Sequence, residues 1–129
     1  MALGLSATVA NGLLNAVCKA TNYTAPTAVW IQLHTASPGS AGTTSIAGNT
    51  TRKQSTFGSS AAGGSISNTV SIDWTSVSTS ETYTHYSAWD ASTSGNFLFS
   101  GAVTANAVTA GDNFSIAIGG LVATLNVAA

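Results

Sequence analysis

The chain has 129 residues, of which 44% are hydrophobic and only 5% charged, and its formal net charge is −1. Ordinary soluble domains carry roughly 25% charged residues, so little charge is present to repel neighbours, and the composition points to a subunit that works in an assembly. The single cysteine, Cys18, excludes an intrachain disulfide; no run of about 18 apolar residues offers a membrane-spanning helix; and the cations Lys19, Arg52 and Lys53 are too few for a nucleic-acid footprint.

The N-terminus, Met1 to Ser6, lacks the positive region of a secretion leader, so none is expected. Leu5, Val9, Leu13 and Val17 then recur every fourth residue, which predicts one helix over about 6–19. Ser6 can cap it, Gly12 weakens its interior by about 1 kcal/mol relative to Ala, and Thr21, Asn22 and Pro26 end it. The apolar stripe is expected to cover an open face or end of the β structure.

After Pro26 the period changes to two. In Val29–His34 the odd positions are apolar while Trp30, Gln32 and His34 share the other face, the pattern of a half-buried strand. Residues 37–49 are rich in Gly, Ser and Thr and read as a long surface loop. A weaker strand follows over Arg52–Phe57, and Gly63-Gly64 marks a turn. Ile66, Val70, Ile72 and Trp74 share a face, with Asn68 the exception. Thr82–Asp90 is another strand, with Tyr83, His85 and Trp89 on one side and Tyr86 and Ala88 on the other. Phe97–Phe99, a marginal Val103–Val108, Phe114–Ile118 and Leu121–Val127 complete the series. About seven or eight short strands with turns between them predict an all-β antiparallel sandwich or jelly-roll-like barrel carrying one N-terminal helix. The whole of 1–129 is expected to form one domain, with the sandwich over about 28–127.

Chemistry has few residues to work with. The acids are Asp73, Glu81, Asp90 and Asp112, and the histidines are His34 and His85. No Gly-x-Ser-x-Gly elbow is present, and with so many serines a Ser, a His and an Asp must coexist somewhere, so no triad is inferred. One Cys and two distant His do not make a zinc pattern, and neither phosphate-loop nor EF-hand spacing occurs. No catalytic, cofactor or metal residue is therefore assigned. Trp30, Trp74, Tyr83, Tyr86 and Trp89 could form a sugar-binding platform, but their period-two placement favours core or interface packing. The candidate contact residues toward other subunits or the particle are Trp30, Gln32 and His34, with the basic pair Arg52 and Lys53.

The order of motifs resembles a family of short virion structural proteins of tailed double-stranded DNA phages, described as tail-fibre or minor structural proteins. The residues that carry the resemblance are the helix Ser6–Lys19, Tyr23-Thr24-Ala25-Pro26, Val29–Thr35, Ser37-Pro38-Gly39, Ala41-Gly42, Gly48, Arg52 and Phe57. Gly63–Asn68, Tyr83-Thr84-His85, Trp89-Asp90-Ala91, Ser94–Gly101, Ala110-Gly111-Asp112 and Gly119-Gly120-Leu121 continue it. The chain departs from the pattern over Ile46–Thr51, which lacks the Tyr expected before the Arg and the Glu expected in the preceding loop. The resemblance implies a passive virion component, assembled in the host cytoplasm, whose partners are other capsid or tail proteins and copies of itself, with a trimer as one option. It implies no catalytic residues, and the thin chemistry, the few cations and the lack of a long apolar run give the expectation of no enzyme, nucleic-acid or membrane role. A short chain without repeats favours capsid decoration over a tail fibre, which stays as the alternative, and a carbohydrate-binding module is the reading from another class.

Overall fold

The computed structural model describes residues 3–128, so the leaderless start expected at Met1 and Ala2 lies outside the described residues. One helix, α1 (Ala7–Lys19), precedes eight strands: β1 (Val29–His34), β2 (Lys53–Ser55), β3 (Ser65–Ser67), β4 (Ile72–Trp74), β5 (Glu81–Trp89), β6 (Phe97–Val108), β7 (Phe114–Ile116) and β8 (Val122–Thr124). They form a four-stranded sheet in the order β2-β1-β5-β6 and two two-stranded sheets, β3-β8 and β4-β7. Every pairing is antiparallel. The sheets do not close on themselves, so the barrel alternative is corrected to an open, sandwich-like arrangement.

The core joins the two layers. Ile31 and Leu33 of β1 stand opposite Ala88 and Tyr86 of β5, and this inner face meets Ile72 and Trp74 of β4, Phe114 and Ile116 of β7, and Leu121. Phe114 holds the layers together with its ring 5.8 Å from Trp74 and 5.0 Å from Tyr83. Tyr83 was expected beside His85 and Trp89. A register shift between Tyr83 and His85 breaks the alternation and lets Tyr83 join the core instead.

The helix begins as its sequence predicts, with Ser6 Oγ accepting the Val9 N–H at 3.1 Å. Leu5 is not helical: it bridges Phe99, and Ser6 N–H donates to Leu98 O at 2.8 Å, so the first described residues cover the edge of β6. The stripe is only half used. Val9 is buried and Leu13 partly buried, but Leu14 and Val17 are 61% and 83% exposed. The helix ends at Lys19, as expected, and Ala20 caps it in the left-handed conformation with φ 52°. Gly12 has a packing reason: a Cβ there would lie 2.8 Å from the Tyr23 ring that packs on the helix.

Two loops are tighter than their composition suggests. Gly63 and Gly64 both have positive φ, 59° and 76°, and Ala62 and Ser65 exchange backbone hydrogen bonds around them, a two-residue hairpin turn that other residues enter only under strain. Asn68, the odd residue of its stretch, is buried and fully used. Its amide donates to Val70 O and Ala117 O at 2.9 and 3.0 Å, and its Oδ1 accepts from Leu121 N–H at 3.0 Å. The stretch 66–74 is thus two short strands joined at Asn68, not one. In the other direction, the separate strands expected at Phe97–Phe99 and Val103–Val108 are one irregular strand, β6.

Candidate functional site

The outer face of the four-stranded sheet gathers the sequence-predicted contact residues. The register sets Trp30 against Trp89, Gln32 against Ser87 and His34 against His85. The strand was expected to be half-buried with Gln32 and His34 turned outward. Both are buried instead, Gln32 at 5% and His34 at 0% exposure, because the 37–49 segment and Arg52 cover this face. Trp30, Arg52 and Lys53 are half-buried and keep some surface.

The covering segment is clamped at several points. Its return leg pairs with the end of β1: Ala47 N–H donates to Leu33 O at 3.0 Å, and Ile46 bridges His34. His34 Nδ1 lies 2.8 Å from Thr44 O, and Gln32 Nε2 donates to Thr50 O at 3.2 Å. The Glu81 carboxylate accepts the N–H groups of Gly48 and Asn49 at 2.8 and 3.1 Å. Pro38, Gly39, Gly42, Ala47 and Asn49 are buried and anchor the long surface loop as a folded flap, while Ser40, Ala41, Thr43, Thr44, Ile46 and Gly48 stay exposed.

A chain of hydrogen bonds runs under the flap. Trp89 Nε1–H donates to Ser87 Oγ at 2.7 Å, and Ser87 Oγ lies 2.7 Å from His34 Nε2. A carbonyl only accepts, so the proton of His34 sits on Nδ1 toward Thr44 O, and Nε2 accepts from the Ser87 hydroxyl. Burial lowers the His34 pKa, which keeps the ring neutral and this direction of donation intact. The spacing is that of a serine nucleophile and its base, but Ser87 and His34 are both at 0% exposure. No substrate reaches the hydroxyl, and a carbonyl rather than a carboxylate orients the imidazole. The pair acts as a pin between flap and sheet. Sequence reading passed over Ser87 because one serine among many carries no signal; its only mark is its place two residues from both His85 and Trp89.

Arg52 closes the lower end. Its guanidinium lies 4.2 Å over the Trp89 ring. Nε donates to Gln32 Oε1 at 3.2 Å, and Nη1 donates to Ala91 O and Ser94 O at 2.9 and 2.7 Å. The Asp90–Asn96 turn beside it is held by Asp90, whose carboxylate accepts Asn96 N–H and Nδ2–H at 2.7 and 2.9 Å, and these donors hold its pKa below the ordinary value. Lys53 pairs across from Ile31 on β2. The basic pair, offered as candidate contacts, therefore splits: Arg52 is built into the fold and Lys53 stays at the margin.

The sugar platform does not survive. Trp74, Tyr83 and Tyr86 are at most 2% exposed, and Trp89 lies under Arg52 at 7%, which leaves only Trp30 with a partly open ring. Among the described residues no group of three or more His, Cys, Asp or Glu could hold a metal ion.

What remains is a neutral, hydroxyl-rich rim over a sealed polar core. Residues 4–124 match the model of a family described as podophage GP4 fiber I protein gp80. The chain belongs to this family. Membership of the fiber I protein gp80 family makes it a phage structural protein, and such a protein implies the virion as its location. No curated protein matches the chain.

Proposed function

We propose that the chain is a non-enzymatic fibre component of a phage virion, attached to other virion proteins through neutral contacts. The observation that carries this is the family match, which runs across the flap, the pinned sheet face and the core alike. The buried Ser87–His34 pair supports the absence of catalysis, since it joins flap to sheet and has no open side. The rim of the flap, with Ser40, Ala41, Thr43, Thr44 and Thr50 exposed beside Trp30, offers hydroxyls and one indole without charge. Such a surface binds by shape and hydrogen bonds and avoids the cost of desolvating ions.

Capsid decoration, which the short, repeat-free chain favours, is the second reading; the family description moves the preference to the fibre. The test is labelling of intact particles with an antibody against this chain. Label on appendages supports the fibre, label spread in a lattice over the head supports decoration, and particles free of label would remove both. Release from particles should change little between about 0.1 and 1 M salt, where the Debye length falls from about 10 to 3 Å. Steep release over that range would mean that Arg52, Lys53 and the acids carry the attachment.

A further inference from the structure

We infer that two copies of this chain meet by the exposed half of α1 from one copy seating in an apolar groove of the other. The groove, about 230 Å³, lies between the N-terminal segment and the β3-β8 sheet and is lined by Leu5, Ala61, Ile66, Phe99, Ala123 and Leu125. Its rim continues in Leu125 and in Val127, which packs beside Gly64; they are 50% and 63% exposed. On α1, Leu14, Val17 and Cys18 stand at i, i+3 and i+4 and so share one side of the helix. All three face solvent, Leu14 at 61% and Val17 at 83% exposure, so the chain's own groove does not take them. Each copy thus carries an unused apolar ridge and an unused apolar groove, the two halves of a helix-in-groove contact.

That the exposed ridge and the apolar groove lie on one and the same chain points to a second copy as the occupant, and the surface is large enough for such a contact. The chain exposes 7157 Å², whereas a compact monomer of its 12.8 kDa is expected to expose about 6,300 Å². The excess of about 900 Å² is close to the roughly 800 Å² that each partner contributes to a standard interface. Charge does not oppose the approach, since Lys19 is the only ionisable neighbour on the helix apart from Cys18, and no groove residue is charged. This contact takes its setting from the fibre reading, but its test does not depend on that reading.

Native Cys18 is a built-in reporter. Ala123→Cys places a second thiol in the groove, and a short bis-maleimide added to the self-associating protein should join Cys18 of one copy to position 123 of another. The covalent pair should be absent from the native chain and from the Ala123→Cys, Cys18→Ser variant. In parallel, Leu14→Glu with Val17→Glu changes only exposed positions, so circular dichroism and the urea midpoint should hold. Self-association measured by sedimentation should weaken by at least about tenfold, the loss expected when a Leu-sized contact is removed. Cross-linking that persists without Cys18, association unmoved by the glutamates, or a native protein that stays monomeric at high concentration would each overturn the contact. None of these outcomes bears on where antibody binds the particle, which decides the fibre reading separately.

Discussion

Replacing Ser87 by Ala is the sharpest probe of the sealed polar face. The substitution removes one oxygen and orphans two groups at once: Trp89 Nε1–H loses its acceptor and His34 Nε2 loses its donor. His34 is at 0% and Trp89 at 7% exposure, so water does not readily replace the lost hydroxyl. A buried polar group left unsatisfied costs about 1–3 kcal/mol, and two of them give a loss of about 2–6 kcal/mol out of a total stability of about 5–15 kcal/mol. Urea titration followed by tryptophan fluorescence should show a lower midpoint with an unchanged slope. Adding Trp89→Phe removes the orphaned donor, so the double variant should lose less than the sum of the two single losses. A Ser87→Ala shift below about 0.5 kcal/mol, or strictly additive losses, would refute the claim that this hydroxyl pins the flap to the sheet.

Three further outcomes follow from the same structure. Burial holds the His34 pKa below its ordinary 6.5, so the unfolded chain takes up a proton that the folded chain resists. The His34 contribution is complete above about pH 6.5 and is lost as pH falls toward the lowered folded value; urea midpoints measured stepwise from neutral to mildly acid pH should fall, and His34→Gln should flatten that dependence. Asn68→Ala leaves Leu121 N–H, Val70 O and Ala117 O without their partner, and thermal melting should report a loss of about 3–5 kcal/mol. Ala20→Gly relieves a left-handed alanine at the helix end and should stabilise the protein by about 0.5–1 kcal/mol in the same assay; a loss there would show that this cap is not strained.

The elements whose causes are local were legible from the residues alone. Ser6 caps the helix wherever the helix packs, because the hydroxyl and the orphan N–H lie within one turn. Gly63-Gly64 makes a hairpin because two successive positive φ angles suit glycine. The switch to period two after Pro26 announced β structure, and the ordered motifs announced a phage structural family without any active-site geometry.

Which faces are covered depends on packing between distant segments. Periodicity sorts Trp30, Gln32 and His34 onto one face, but it does not reveal that a Gly- and Ser-rich flap and the Arg52 guanidinium close over that face. The flap's own signal is misleading, since small polar residues read as solvated until partners on distant strands, Gln32 and Glu81, take up its backbone carbonyl and N–H groups. The reverse holds for α1, where a full apolar stripe is buried only over its first half and Leu14 and Val17 stay exposed. Burial depends on contacts between residues far apart in the chain, such as Ser87 with His34, and a pattern confined to neighbouring positions carries no information about them.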